Sequence, residues 1–159
     1  MKRLIKVQYK RRRQNKTDYL AREELLKSGI VRFVVRKTNR YIIIQIVESK
    51  EAQDMVVFSV SSKDLMDYDY PESFSIKNIG AAYLTGYLAA KKALKNKISR
   101  AILDQGLVKS TKGSKIYAAV AGAIAGGLDI PCDKEMFPKE ERLKINELVK
   151  VNIDEEEKE

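Results

Sequence analysis

From Val31 to Arg36 apolar and polar positions alternate: Val31, Phe33 and Val35 fall on one side of an extended chain, Arg32, Val34 and Arg36 on the other. A period of two predicts a strand. Tyr41-Ile42-Ile43-Ile44-Gln45-Ile46-Val47 is dense in β-branched residues and predicts an adjacent strand, and Met55 to Ser61 a third. Lys37-Thr38-Asn39-Arg40 separates the first two; Asn39 tolerates a positive φ, so a hairpin is expected there. Residues 62–77 carry turn chemistry and four acidic side chains, and they are expected as an exposed loop kinked at Tyr68-Asp69-Tyr70-Pro71.

At Asn78 the period changes. Ile79, Ala82, Tyr83, Gly86, Tyr87, Ala90 and Leu94 share one face of a helix running to about Lys97. Ala101-Ile102-Leu103 predicts a short strand ending at Asp104-Gln105-Gly106. A second helix follows from about Ser114, with Ile116, Ala119, Val120, Ala123 and Ile124 at helical spacing and Gly126-Gly127 as its stop. Earlier, Thr17 or Asp18 can cap a helix that Gly29 closes, but Leu20, Leu25 and Leu26 offer only a short stripe, so it needs outside contacts. Pro138 opens a last short helix through Glu140, Leu143 and Leu148.

The order of elements predicts an α/β fold, one mixed β-sheet packed with helices, with an extended basic N-terminal arm and a short acidic C-terminal tail. The arm is assigned to residues 1–16, the single domain to 17–150 and the tail to 151–159, where Asp154 to Glu159 have nothing to bury. At 159 residues the chain is about one domain long. Its longest apolar run is far short of a membrane span, no signal peptide is readable, and Cys132 is alone, all of which point to the cytoplasm.

Charge sharpens this picture. Residues 1–40 hold 14 basic and 3 acidic side chains, residues 41–132 hold 11 and 9, and residues 133–159 hold 6 and 10, within a net charge of +9. Eight of the first sixteen residues are Lys or Arg, peaking at Tyr9-Lys10-Arg11-Arg12-Arg13. Clustered cations match a polyanion, because phosphates neutralise them and release condensed counterions; the competing reading is a solvated basic tail or a localisation signal. Arg32, Arg36, Lys37, Arg40 and Asn39 crowd the hairpin, where exposed cations repel one another unless an anion bridges them. Lys109-Ser110-Thr111-Lys112-Gly113-Ser114-Lys115 is a second basic, hydroxyl-rich loop opening a helix, a place where backbone N–H groups suit a phosphate.

Catalysis has little material. There is no His, one Cys cannot build a thiolate zinc site, and no phosphate-loop pattern is present. Asp104, with Asp18 or Asp54, is the one candidate for a metal-dependent, RNA-processing nuclease. A loop carboxylate at a strand end is more often a cap or turn former.

Seven blocks carry a resemblance: Tyr9-Lys-Arg-Arg-Arg, Lys16-Thr-Asp-Tyr, Arg32 to Asn39, Ala81-Ala-Tyr-Leu-Thr-Gly86, Ala101-Ile-Leu-Asp104, Lys112-Gly-Ser-Lys115 and Phe137-Pro-Lys-Glu-Glu-Arg142. Together, and in unbroken order from about Lys6 to Val149, the chain resembles large-ribosomal-subunit protein family eighteen in its archaeal and eukaryotic form. The resemblance implies a structural, non-enzymatic protein of the large subunit. Its expected partners are 5S rRNA, the large-subunit (23S-type) rRNA and the neighbouring large-subunit ribosomal protein five, with attachment of 5S rRNA in the central protuberance. No cofactor, membrane or small-molecule substrate is expected. Met66 to Tyr70 stands where the family usually has a Gly-Trp turn, and Ala121 where a Lys is usual, so the family's RNA contacts are not carried over to either.

On this reading Lys10, Arg11, Arg12, Arg13 and Lys16 follow RNA phosphates, Arg22 continues the track, and Tyr9 stacks on an unpaired base or ribose. Arg36, Lys37, Asn39 and Arg40 clamp a 5S stem, and Lys112, Ser114 and Lys115 hold a further phosphate.

Overall fold

The computed structural model describes residues 7–51, 53–71, 73–143 and 147–156. Strands β1 (Arg32–Lys37), β2 (Ile42–Lys50), β3 (Gln53–Ser61) and β4 (Ile102–Asp104) form one sheet in the order β3-β2-β1-β4. The first three run antiparallel as hairpins, whereas β4 lies parallel to β1, so the sheet is mixed as the element order predicts. Register decides its two faces. Phe33 sits opposite Ile46 and Ile46 opposite Phe58; Val35 sits opposite Ile44 and Ile44 opposite Val60. Phe33, Val35, Ile44, Ile46 and Val60 are fully buried on this face, each side chain contributing about 1.5–3 kcal/mol by burial. The other face carries Arg32, Val34 and Arg36.

Helices α3 (Ile79–Lys95) and α4 (Lys115–Ala125) cover the apolar face, α3 over β2 and β3 and α4 over β1. Asn78 caps α3, its Oδ1 accepting from the Ala81 N–H at 2.6 Å. Every residue of α3 from Gly80 to Ala90 is buried, because the helix lies between sheet and further helices. The two helices touch backbone to backbone: a Cβ on Gly86 would overlap the Ala119 carbonyl, and one on Gly122 the Tyr83 carbonyl. Glycine is required at both. Leu94 and Ile124, expected on the core faces, are 40% and 38% exposed, since each lies near its helix's C-terminal end, past the crossing.

Three expectations need correction. Residues 62–77 are not an exposed loop: Asp64–Tyr68 form a 3-10 turn, and Ser62, Leu65, Tyr68 and Tyr70 are buried. Turn residues there alternate with apolar ones that close the open end of the core. The hairpin does not use a left-handed Asn39; Thr38 closes it, its hydroxyl donating to the Tyr41 carbonyl at 2.8 Å and accepting from the Tyr41 N–H at 2.9 Å. The segment expected as an acidic tail instead continues α6 (Glu147–Glu156), which follows the short α5 (Glu140–Leu143). Val149 and Ile153, one turn apart, are fully buried, and Asp154 accepts from Tyr87 Oη at 2.7 Å and from Lys91 Nζ at 2.8 Å. Residues 157–159 lie outside the described residues, as does the side chain of Leu148.

Candidate nucleic-acid interface

Before the sheet, α1 (Lys10–Arg13) is a single basic turn and α2 (Tyr19–Lys27) a two-turn helix capped by Asp18, whose Oδ1 accepts from the Leu20 N–H at 3.0 Å. The arm is therefore folded back on itself. The Lys16 N–H donates to the Arg11 carbonyl at 2.9 Å, Arg11 Nε to Thr17 Oγ1 at 2.8 Å, and the Tyr9 and Tyr19 ring centroids stand 5.3 Å apart. Tyr9, Lys10, Arg11, Arg12, Arg13 and Lys16 are all exposed, with Tyr9 at 73%. Of the basic run, residues 1–6 lie outside the described residues.

The polar face of the sheet holds what local sequence could not reveal, a chain of alternating charges. Parallel pairing sets Asp104 of β4 opposite Val34, between Arg32 and Arg36 of β1. Its carboxylate accepts from Arg32 Nη1 at 3.1 Å, from Arg36 Nη2 at 2.9 Å and from the Gly106 N–H at 2.9 Å. A left-handed Gly106 (φ +63°) turns the chain so that the Arg36 guanidinium packs against it. Arg36 Nη1 also donates to the Asp104 carbonyl at 2.8 Å. On the far side, Arg32 Nη2 reaches Asp54 Oδ1 at 2.5 Å and Ser49 Oγ at 2.8 Å, while Arg22 Nη2 reaches Asp54 Oδ2 at 2.9 Å. Burial by itself would raise the Asp54 carboxyl, but hydrogen bonds from Ser49, Arg32 and Arg22 outweigh it and hold the group down to about 2.

Two of the predicted phosphate ligands therefore already have anions. Arg22 belongs to Asp54 and Arg36 to Asp104; Arg32, which the sequence left as an exposed cation, is 3% exposed and bound to both. The same bonds answer the nuclease reading. Asp104 and Asp54 spend their lone pairs and charge on guanidiniums, and Asp18 spends one oxygen on the cap of α2, which leaves no convergent carboxylates to hold a divalent ion. Among the described residues no three potential ligands gather into a metal site. No helix among them is long and apolar enough to cross a membrane.

Two concavities lie beside these groups. The first, of about 570 Å³, opens between α2 and the end of β4; Arg11, Lys16, Arg22 and Arg36 line it, together with Asp18, Glu24 and Asp104. The second, of about 440 Å³, gathers Lys37 from β1, Lys109 from the loop after β4, Lys115 from the start of α4 and Arg142 from α5, with no acidic side chain in its lining. Among the described residues none of these four cations has an acidic partner. Ser114 precedes α4 without using its hydroxyl as a cap, so that hydroxyl and the free N–H groups stay available. The Gly113 N–H donates to the Met136 carbonyl at 2.9 Å, which draws residues 134–142 alongside.

The fold thus joins two loops that looked separate in sequence, Lys37 of the hairpin and Ser114 with Lys115 of the second loop. It removes Lys112, whose Nζ pairs with Glu135 at 2.7 Å. Asn39 and Arg40 stay exposed at the hairpin tip. Lys109 and Arg142, which the fold sets beside Lys37 and Lys115, were not among the residues expected there. Lys109 lay within the basic loop, whereas Arg142 follows two glutamates in a short helix and carries no local sign of a basic surface.

Comparison with known proteins shows the family to which the chain is similar. A family model described as ribosomal large subunit proteins 60S L5 and 50S L18 matches residues 3–99 and 95–133. The large ribosomal subunit protein uL18 of Korarchaeum cryptofilum (strain OPF8) is 49% identical over 139 residues, 87% of this chain and 70% of that protein. The uL18 of Methanoregula boonei is 42% identical over 146 residues, 92% of this chain and 83% of that protein. That of Methanothermobacter thermautotrophicus is 40% identical over 154 residues, 96% of this chain and 79% of its own length.

Proposed function

We propose that this chain, which belongs to the family of ribosomal large subunit proteins 60S L5 and 50S L18, binds 5S rRNA and helps attach it to the large-subunit rRNA in the central protuberance, beside ribosomal protein five. As a member of that family it is a structural ribosomal protein serving translation. Its place is the cytoplasmic ribosome, and it catalyses no reaction. The observation that carries the reading is the pair of uncompensated cationic surfaces, the arm from Lys10 to Lys16 and the cleft of Lys37, Lys109, Lys115 and Arg142.

Each surface fits ribose-phosphate. Cations held close without carboxylates raise a local potential that concentrates a polyanion. The arm presents Arg12 and Arg13 on one turn, and Arg forks bind phosphate oxygens bidentately. The cleft adds the Ser114 hydroxyl and the first N–H groups of α4, so a phosphate there receives hydrogen bonds as well as charge. Recognition leans on shape, phosphates and 2′-hydroxyls, since the deep major groove of A-form RNA hides base edges. Two surfaces on separate elements allow two RNA segments to be held at once.

A filter-binding titration with 5S rRNA across a salt series tests the reading. With about six cations neutralised, log affinity falls against log salt with a slope of roughly −4 to −5. Replacing Arg11, Arg12 and Arg13 by Ala makes the slope shallower and leaves thermal unfolding almost unchanged, because no residue of α1 is buried. A slope near zero in the unmodified protein sinks the proposal.

A further inference from the structure

Segment 62–77 carries three aromatic rings, and the core takes two of them: Tyr68 and Tyr70 are buried, whereas Phe74 is 52% exposed. Asn78 Nδ2 donates to Tyr70 Oη at 3.2 Å and pins the ends of a short loop, with Phe74 midway between them. Within it the Phe74 N–H donates to the Pro71 carbonyl at 3.0 Å and the Asn78 N–H to the Ser75 carbonyl at 3.1 Å. A hydrogen-bonded turn thus holds this ring half in water. Cations stand alongside. Lys77 Nζ donates to the Asn39 carbonyl at 3.4 Å and fastens the loop to the tip of the β1–β2 hairpin. Lys77 and Arg40 are both exposed there, and among the described residues neither has an acidic partner. Three residues of chain keep the Phe74 and Lys77 Cα atoms within about 11 Å of each other. The loop leads on to Ile79 and the hairpin back to Lys37, and both of these line the cationic cleft at the start of α4.

We propose that Phe74 is a stacking platform for one unpaired base of the RNA that the hairpin holds, with Arg40 and Lys77 taking the phosphates beside that nucleotide. The inference rests on the RNA-binding reading and adds to it a contact that no count of cations reveals. A lone exposed ring carries no message. A ring beside two unmatched cations suits a nucleotide, whose base has an aromatic face and whose phosphate has a negative charge. An apolar protein surface seated on the ring would have to bury Arg40 and Lys77 without anions, which is unfavourable. Every base has a π-face, so the platform tolerates any sequence and selects unpaired over paired nucleotides.

The chain has no Trp, so Phe74→Trp places a single indole on the platform. The probes are a six-nucleotide oligoadenylate and the abasic strand of the same length, which keeps every phosphate. Oligoadenylate is expected to quench the indole and the abasic strand to leave it bright, although the basic arm attracts both. Phe74→Leu keeps an apolar side chain, removes the ring and needs no reporter. It is expected to weaken 5S rRNA about tenfold without changing the salt slope, because no charge is lost. Arg40→Ala and Lys77→Ala are each expected to make that slope shallower by about 0.7–0.9. Equal quenching by both strands, or 5S rRNA affinity indifferent to Phe74→Leu, overturns the platform. Steep salt-dependent binding of 5S rRNA with an indole that stays bright removes this inference and leaves the RNA reading standing. A base-specific quench with a slope near zero for 5S rRNA does the reverse.

Discussion

Four cations line the cleft beside α2 and four line the cleft at the start of α4, but they do different work. In the cleft beside α2, Arg22 and Arg36 are tied to Asp54 and Asp104, and the same aspartates neutralise the buried Arg32 behind them. In the cleft at the start of α4, Lys37, Lys109, Lys115 and Arg142 face one another with no carboxylate between them. The first set is architecture. Arg32 is enclosed, and a buried guanidinium persists only with anions and hydrogen bonds around it. The second set has no anion in its lining, and its charges repel one another until an outside anion arrives. Counting Lys and Arg therefore overstates the phosphate ligands; only cations the fold has not already matched are available to RNA.

The comparison breaks most directly at Asp104. Asp104→Ala leaves Arg32 enclosed with one anion instead of two and frees Arg36, and is expected to lower unfolding stability in urea by about 3–5 kcal/mol. RNA affinity of the protein that remains folded should hold or rise, because Arg36 is released and a negative charge is gone. A loss of only a few tenths of a kcal/mol would show that the charge ladder is ornament.

In the other cleft the effects exchange places. Replacing Lys37, Lys109, Lys115 and Arg142 together by Ala is expected to make the 5S rRNA salt slope shallower by about 3. The urea midpoint should stay level or rise, because four mutually repelling charges are gone. A stability loss with an unaltered salt slope would reverse the assignment of the two clefts.

Acid titration sharpens the contrast more gently. Asp54 is held at about 2 in the folded chain against an ordinary value of 3.8. A lowered carboxyl stabilises fully above its unfolded value, and this contribution fades as pH falls from 3.8 through about 2. Unfolding measured at steps between pH 5 and 2 should fall more steeply in the unmodified chain than in Asp54→Asn, which has nothing to protonate there. Parallel curves would mean that the bonds to Arg22 and Arg32 do not stabilise the carboxylate.

The smallest difference separates neighbours in one loop. Lys115→Ala should take about 0.7–0.9 from the salt slope, whereas Lys112→Ala, already paired with Glu135, should take almost nothing. Equal effects would show that Glu135 gives up Lys112 when RNA binds.

Much of the fold could be read from local pattern. The alternation at Val31 to Arg36, the β-branched run at Ile42 to Val47 and the helical spacing after Asn78 each mark an element correctly, because period and capping act between near neighbours. Local pattern failed where apolar residues were sparse. Leu65, Tyr68 and Tyr70 sit among acidic residues and still enter the core, and Val149 with Ile153 is too short a stripe to announce a docked helix. At the interface, the arm was legible as a surface because no acidic residue interrupts the chain from Met1 to Thr17.

By itself the sequence determined a basic front, a hairpin sheet, two small-residue helices and the family they compose. Which cations remain free was decided only by tertiary structure. Asp104 meets Arg32 across 72 positions and Arg142 joins Lys37 from the far end of the chain, through the parallel register of β1 with β4 and the docking of the segment after α4. Charge is composition, but neutralisation needs two groups within about 4 Å, and distance between remote residues is set by the fold.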